Sequence, residues 1–265
     1  MRLVAVDVDG TLLGSDGRIS RRTLAALEAA RAAGWLVVVA TGRPAVYAQR
    51  VLRDLSVATH LVSSDGAEIT TASGEVLHRM AMPMPRASAV VRQLRRAVDG
   101  VGFSLITETD AVFESGFELL APVPTTAGRR VGDVLDATGA QVFRLSAFHA
   151  ALGAWGLLEL LPPVLDDGTV LAHAGIDAVN LLPSAVDKAD GLARLCERMG
   201  LSASDVVAFG DQVNDLAMLR WAGLGVAMGN AVPAVTAVAD EVTASNDDDG
   251  IALVVERLLA DRPAG

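Results

Sequence analysis

The sequence predicts an α/β protein with a doubly wound, Rossmann-like parallel sheet and an inserted α/β domain. Near-continuous apolar runs such as LVAVDV (residues 3–8) and WLVVVA (residues 35–40) alternate with helical patterns, as in parallel strands that are buried on both faces. The alternation stops at MAMPMPR (residues 80–86), where two prolines break regular structure, and it resumes after LLPSAVDK (residues 181–188). We therefore predict a core of residues 1–82 and 182–265 and an inserted cap domain of residues 83–181.

Local signals predict the individual elements. Ser20 is a suitable N-cap for a helix over residues 21–33, Gly34 is a suitable stop, and Pro44 suits the first turn of a second helix. The remaining core elements are strands at 60–69, 205–211 and 224–230 and helices at 189–199, 214–223 and 249–260. In the inserted domain we predict helices at 87–98 and 150–161 and strands at 102–107, 111–115, 143–148 and 177–183.

Composition narrows the class of protein. The chain has 265 residues and a formal net charge of -10, which argues against nucleic acids and anionic membranes as partners. Its one cysteine, Cys196, excludes an internal disulfide framework and lies in a helical pattern, where a packed thiol is expected. Signal-peptide and membrane-spanning patterns are absent from the sequence, so we expect a cytoplasmic protein.

Polar residues collect just after the carboxyl ends of predicted strands. In open α/β sheets, ligands bind at this edge, so groups that are distant in sequence can meet there. Each group also has a simpler interpretation alone: a turn, a helix cap or a solvated lysine. The groups are Asp7 and Asp9, Thr41, Lys188, and Asp211 with Asn214 and Asp215.

These residue types support phosphoryl chemistry. Carboxylates provide the hard oxygen ligands that Mg²⁺ prefers, and the metal offsets their mutual repulsion. One carboxylate can attack phosphorus and form an aspartyl-phosphate, while a second protonates the leaving oxygen and then activates water. The Thr41 hydroxyl and a nearby backbone N–H can bind phosphate, and Lys188 can hold the transferring phosphoryl oxygens.

The motifs resemble those of the haloacid dehalogenase superfamily, and within it the Cof-like phosphatases with a large inserted α/β cap (type IIB). The resemblance lies in DVDGT (residues 7–11), TGR (residues 41–43), Lys188 and GDQVND (residues 210–215) in this order. The downstream segment SNDDDGI (residues 245–251) resembles the Asn-rich loop of the family. The family resemblance implies a Mg²⁺-dependent phosphatase that hydrolyses a small phosphorylated metabolite, with a sugar phosphate as the expected substrate.

The resemblance also implies a role for each site residue. Asp7 is the expected nucleophile and Asp9 the general acid and base. Mg²⁺ is expected at the Asp7 carboxylate, the Asp9 backbone carbonyl and Asp211, with Asp215 in or just behind the coordination shell. The cap is expected to exclude water and contact the leaving group. Phosphate is expected at Thr41, Gly42, Arg43, Lys188 and Asn214.

Two positions depart from the family pattern. The family usually has Asn-Gly-Ala where this chain has Asp65-Gly66-Ala67, which changes the charge of a loop near the expected site. It often has Lys-Gly where this chain has Lys188-Ala189, which concerns the start of a helix more than the chemistry.

Several alternatives stay open at this stage. A phosphomutase shares the aspartyl-phosphate step, and a non-catalytic metabolite-binding protein can share the fold. Dehalogenase chemistry is disfavoured, because Asp9 and the metal-binding acids are all present. Arg43 has two equal interpretations, a substrate contact and a helix cap.

Core packing is preferred over a substrate pocket for Phe113, Phe117 and Trp155, and a surface or packed position is preferred for the four histidines, His60, His78, His149 and His173. Residues 247–249 are interpreted as a solvated helix start rather than as a cation site. For Arg129 and Arg130, a solvated pair has at least the same weight as a contact with a second anionic group of the substrate.

Overall fold

The structure is a computed structural model that describes residues 2–43, 45–107, 109–117, 120, 129–166, 168–174, 176–183 and 186–261. Contacts divide the chain into two compact units. The first, here the core unit, is Met1–His78 with Asp187–Gly265, and the second, here the inserted unit, is Arg79–Val186. That each unit is a domain, with the predicted boundaries at residues 83 and 181, stays a prediction.

The strands are short, as expected for an α/β protein. In chain order they are β1 (Leu3–Val6), β2 (Leu36–Ala40), β3 (His60–Ser63), β4 (Glu68–Thr71), β5 (Val76–Arg79), β6 (Met82–Pro83), β7 (Gly102–Thr107), β8 (Ala111–Phe113), β9 (Arg129–Val131), β10 (Gln141–Phe148), β11 (Thr169–His173), β12 (Val179–Pro183), β13 (Val206–Gly210), β14 (Leu224–Ala227) and β15 (Glu241–Val242).

Helices separate most of the parallel strands of the core unit. In chain order they are α1 (Arg21–Ala32), α2 (Ala45–Asp54), α3 (Met84–Ala97), α4 (Gly153–Leu160), α5 (Lys188–Met199), α6 (Leu216–Trp221), α7 (Pro233–Thr236) and α8 (Gly250–Ala260). Within the described part of the chain, no helix has the length and apolar character needed to cross a membrane.

The core unit contains the predicted parallel sheet. Its strand order is β15-β14-β13-β1-β2-β3-β4-β5. Neighbours from β15 to β3 run parallel, and β4 pairs with β3 in the antiparallel direction. The predicted α/β fold class is confirmed.

Both faces of this sheet are buried. Along β1, Val4 and Val6 pack into one apolar cluster, which includes Leu27 of α1. Leu3 and Ala5 pack into a second cluster, which includes Leu192 of α5. Adjacent side chains of a strand point to opposite faces, so a continuous apolar run is what a sheet covered by helices on both sides requires.

The inserted unit has its own sheet, in the order β11-β12-β10-β7-β8-β9, with β6 paired to β10. The pairs formed by β10 with β7 and β12 are antiparallel, and β8 with β9 is parallel. Leu94 of α3 and Leu157 of α4 share an apolar cluster with Phe103 and Leu145 of the sheet.

Two of the differences between the predicted elements and the structure have a clear physical reason. The strand predicted over residues 60–69 is split, because Ser64 and Asp65 both have a φ of 51° and turn the chain between β3 and β4. The helix predicted from residue 87 begins at Met84, since Pro83 is its N-cap and Pro85 lies in its first turn, where proline is tolerated.

Candidate active site

Three neighbouring strands of the core sheet end at polar residues that the sequence singled out. Asp7 directly follows β1, Thr41 follows β2 and Asp211 follows β13. Since β1 lies between β2 and β13 and is parallel to both, the three carboxyl ends share one edge of the sheet. Ligands of open α/β sheets bind at this edge.

Lys188 connects two carboxylates in the interior of the core unit. Its Nζ donates a hydrogen bond to Asp7 Oδ1 at 2.6 Å and another to Asp215 Oδ1 at 2.7 Å. The side chains of Lys188 and Asp215 are fully buried, and that of Asp7 is 8% exposed. An ammonium group is this deeply buried only when carboxylates compensate its charge. The interpretation of Lys188 as a solvated side chain is therefore wrong.

The start of α5 determines where Lys188 enters the site. Lys188 is the first residue of α5, and Asp187 is its N-cap. The Asp187 side chain accepts a hydrogen bond from the Asp190 backbone N–H, and the Asp190 carboxylate accepts one from the Asp187 N–H. This reciprocal capping box stabilises the first turn of the helix and fixes the backbone that carries Lys188.

The buried cluster has more negative than positive charge. Carboxylate oxygens of Asp7, Asp211 and Asp215 lie within 4.8 Å of one another, and Lys188 adds one positive charge. Burial raises the pKa of Asp7 to about 7, with Lys188 opposing and Asp215 adding to the shift. Burial also raises the pKa of Asp211, although a hydrogen bond from Thr11 opposes this effect. Oxygen donors with an excess of negative charge fit a divalent cation such as Mg²⁺.

Asp211 is held in a tightly packed position. Thr11 Oγ1 donates a hydrogen bond to Asp211 Oδ1 at 2.8 Å, and Gln212 Nε2 donates one to Oδ2 at 3.3 Å. Gly10 has a φ of +85°, and a Cβ at this position would lie 2.3 Å from Asp211 Oδ2. Gly10 is therefore required both by the backbone turn and by the close approach of Asp211.

Asp215 is more fully engaged by the protein than Asp7 or Asp211. Its Oδ1 accepts the hydrogen bond from Lys188, and its Oδ2 accepts hydrogen bonds from the backbone N–H groups of Asp211 and Gln212, both at 3.0 Å. These contacts position Asp211 and Lys188.

Asp9 lies in a different environment from Asp7. Strand alternation directs both carboxylates to one side only if β1 continues, but β1 ends at Val6. The Asp9 side chain is 59% exposed and pairs with Arg43, with Nε to Oδ2 at 2.8 Å and Nη2 to Oδ1 at 2.5 Å. Arg43, expected to contact substrate or cap a helix, thus holds the carboxylate of Asp9 in this structure.

A second group of predicted residues surrounds the loop after β2. Thr41 is buried, and its Oγ1 accepts a hydrogen bond from the Arg43 backbone N–H at 3.1 Å. Asn214 Nδ2 donates a hydrogen bond to Asp65 Oδ1 at 3.1 Å. The Asp65 carboxylate also lies beside the backbone of Gly42, 3.1 Å from the position that a Cβ would take. Asp65 therefore lies among the predicted site residues. In the sequence, the only sign of this was that Asp65 departs from the family pattern.

Two asparagines stabilise the turn after Asp9: Asn230, which the sequence did not single out, and Asn246, which lies in the Asn-rich segment of residues 245–251. Asn230 Nδ2 donates a hydrogen bond to the Gly10 carbonyl at 2.8 Å, and its Oδ1 accepts one from the Asn246 backbone N–H. Asn246 Nδ2 in turn donates to the Leu13 carbonyl at 2.8 Å. The available signal for Asn230 was its position directly after the apolar run LGVAM and Gly229.

The remaining candidates have structural contacts. Asp247 accepts a hydrogen bond from the Ser15 backbone N–H, and Asp249 pairs with Ser20, so residues 247–249 join loops. Cys196 is buried, which confirms its packing. The side chains of Arg129 and His173 lie outside the described residues, as does Pro44. In the inserted unit, Arg130 pairs with Asp110, and Phe113 and Phe117 pack with Phe148 in one apolar cluster, as expected. Trp155 is 76% exposed, so the core packing expected for it is wrong.

Comparisons with known proteins show the family of the chain. Residues 4–255 match the model of a family described as haloacid dehalogenase-like hydrolase. The chain is 30% identical over 259 residues to the 5-amino-6-(5-phospho-D-ribitylamino)uracil phosphatase YitU of Bacillus subtilis, with 94% of each chain covered.

Solved structures give the same result. A haloacid dehalogenase-like hydrolase from Bacteroides thetaiotaomicron aligns with a TM-score of 0.75 and 27% identity, over 97% of this chain and 99% of the other. The HAD subclass IIB sugar phosphatase BT4131 aligns with a TM-score of 0.74 and 25% identity, again over 97% and 99%. The chain with this carboxylate-lysine cluster belongs to the haloacid dehalogenase-like hydrolase family and is an enzyme of that family.

Proposed function

We propose that the protein is a Mg²⁺-dependent phosphatase that hydrolyses a small phosphorylated metabolite through an aspartyl-phosphate. The observation that carries this proposal is the buried cluster in which Lys188 joins Asp7 and Asp215 at the carboxyl edge of the sheet. The family supports it, and so does YitU, a relative that is named as a phosphatase.

The donors for Mg²⁺ in this proposal are the carboxylates of Asp7 and Asp211 and the backbone carbonyl of Asp9. Asp215, whose two oxygens already accept hydrogen bonds from Lys188 and from two backbone N–H groups, supports this set from behind. When bound, the cation supplies two positive charges that offset the excess of buried carboxylates and polarise the phosphoryl group.

Asp7 is the proposed nucleophile. Lys188 holds its Oδ1, so Oδ2 is the oxygen that attacks phosphorus. The new oxygen–phosphorus bond gives an acyl phosphate, and the bond from phosphorus to the ester oxygen breaks with its electron pair on the leaving oxygen. Asp9, when protonated, gives its proton to that oxygen and later takes one from the water that hydrolyses the acyl phosphate.

Phosphate binding is assigned to groups on three loops. The Thr41 hydroxyl, the Gly42 backbone N–H and the Asn214 amide provide hydrogen-bond donors, and Lys188 provides positive charge. Arg43 contacts Asp9 instead, at 2.5 and 2.8 Å, and we assign it to the orientation of the Asp9 carboxylate. A direct contact between Arg43 and substrate stays a prediction.

For the substrate we propose a phosphorylated sugar or a related polyol. The name of YitU describes a phosphoribityl compound, and BT4131 is titled a sugar phosphatase. Both names point to a phosphate ester on a chain or ring that carries hydroxyl groups.

The first prediction concerns the nucleophile. With p-nitrophenyl phosphate and Mg²⁺, Asp7→Asn is expected to lower kcat at least ~10³-fold, because the carboxamide does not form the acyl phosphate. Asp54→Asn makes the same chemical change on the exposed end of α2 and is expected to leave kcat unchanged. Matching circular dichroism spectra of the two variants show that the fold is kept.

The same assay separates the alternatives. A phosphomutase requires a bisphosphate activator and does not release phosphate readily, whereas a phosphatase releases phosphate without the activator. Turnover by Asp7→Asn at more than trace level contradicts the assignment of the nucleophile. Absence of metal-dependent turnover across a panel of phosphorylated sugars favours the non-catalytic alternative.

A further inference from the structure

Asp65 places a carboxylate among the residues that we assign to phosphate. Its Oδ1 accepts a hydrogen bond from Asn214 Nδ2 at 3.1 Å. Its two carboxylate oxygens lie 3.1 and 3.2 Å from the position that a Cβ of Gly42 would take. The carboxylate thus contacts one phosphate-binding side chain and packs against the backbone of another phosphate-binding residue.

The backbone that carries this carboxylate is held from two directions. The N–H of Asp65 donates to the Thr41 carbonyl at 3.1 Å, and the N–H of Ser64 donates to the Arg43 carbonyl at 3.1 Å. On the other side, a Cβ at Gly66 would lie 2.0 Å from the Asp187 carbonyl oxygen, at the start of α5. These contacts fix the turn between the loop after β2 and the helix that carries Lys188.

The negative charge of Asp65 acts on Lys188 in the buried cluster. Burial lowers the pKa of Lys188, but the carboxylates of Asp7, Asp215 and Asp65 raise it by more, so that the pKa is above its ordinary value. A negative charge that acts on Lys188 also acts on a phosphate dianion bound beside Lys188, where like charges repel.

An asparagine at this position has nearly the same shape and no charge. Asp65 has a φ of 51° and a ψ of 40°, the left-handed region, which asparagine adopts readily. The asparagine Oδ1 can also accept the hydrogen bond from Asn214 Nδ2. Asp65 is thus distinguished from the asparagine usual in the family by its charge.

We propose that Asp65 is a positioning and specificity-determining residue, which orients the Asn214 amide and uses its fixed charge to weaken the binding of phosphate. This inference rests on the proposed function. The consequence is faster release of inorganic phosphate, which is a dianion near pH 7.5 and the product that remains in the site after the acyl phosphate is hydrolysed.

The test is a calorimetric titration of the enzyme with inorganic phosphate in the presence of Mg²⁺. We expect Asp65→Asn to bind phosphate ~3- to 10-fold more tightly than the wild type, because one repulsive charge is removed. The gain is expected to shrink at 0.5 M NaCl, since salt screens a charge effect. Asp54→Asn, which removes a remote exposed charge, is the matched control and is expected to bind phosphate as the wild type does.

Structural damage and loss of repulsion change the affinity for phosphate in opposite directions. A variant with a loosened site binds phosphate more weakly, whereas loss of the charge gives tighter binding and a lower KM for p-nitrophenyl phosphate. Equal or weaker binding by Asp65→Asn overturns the inference, and so does a failure of both the wild type and the variant to bind phosphate at tens of millimolar. Binding is measured without turnover, so a chain that binds phosphate but hydrolyses no ester contradicts only the proposed function.

Discussion

At the scale of single residues, Gly10 leads to a prediction that separates backbone strain from a steric clash. Its φ of +85° is unfavourable for residues that have a Cβ, and a Cβ at this position would lie 2.3 Å from Asp211 Oδ2. Gly10→Ala is expected to displace the Asp211 carboxylate and lower kcat with p-nitrophenyl phosphate by ~10²-fold, since small displacements of a catalytic group have effects of this size.

Gly17 provides the matched control for this substitution. Its φ is +72°, and a Cβ there meets nothing within 4 Å. Gly17→Ala therefore has the cost of the left-handed backbone, ~1 kcal/mol in the free energy of unfolding, without a clash. We expect it to keep full activity, and equal activity losses in the two variants would contradict the role of Gly10 in positioning Asp211.

At the scale of elements, the capping box of α5 connects helix stability to activity. Asp187→Ala removes the acceptor for the Asp190 backbone N–H, which is 2.9 Å from Asp187 Oδ1. Loss of an N-cap costs ~1 kcal/mol, and here the first turn also carries Lys188. We expect both a lower urea midpoint and a several-fold lower kcat.

The N-cap of α1 makes the matching comparison. Ser20 Oγ accepts a hydrogen bond from the Thr23 backbone N–H at 3.0 Å, and α1 contributes no residue to the proposed site. Ser20→Ala also removes the hydrogen bond to Asp249, so it is expected to lower the urea midpoint by at least as much while kcat is unchanged. If Asp187→Ala and Ser20→Ala affect kcat equally, the cap of α5 has no special connection to Lys188.

Across the whole molecule, the sequence was most informative where one physical requirement dominates. The apolar run of β1 is needed by a sheet covered on both faces, so its strand was predictable. The turn at Ser64 and Asp65 was missed, because two residues with positive φ interrupt a run that otherwise reads as a strand.

In the site, too, some features could be predicted from the sequence and others could not. Burial of Lys188 followed from no local signal, since it depends on carboxylates 181 and 27 residues away in the chain. The Arg43–Asp9 ion pair is likewise a contact between two loops. The motif resemblance predicted that Asp7 and Asp9 belong to one site. The structure shows that their environments differ, because the Asp7 carboxylate is buried and the Asp9 carboxylate is exposed.

The last prediction concerns the charge balance of the whole protein. Three buried carboxylates face one lysine, so the folded chain has repulsion that Mg²⁺ is expected to relieve. A ligand that binds only the folded state stabilises it by ~2.7 kcal/mol at 100 times its Kd, measured as the free energy of unfolding in urea. Asp211→Asn is expected to abolish this gain, while the metal-free variant is at least as stable as the wild type because one buried charge is removed. NaCl at matched ionic strength is the control, and an equal gain from NaCl, or from Mg²⁺ in Asp211→Asn, would contradict a cation site at this cluster.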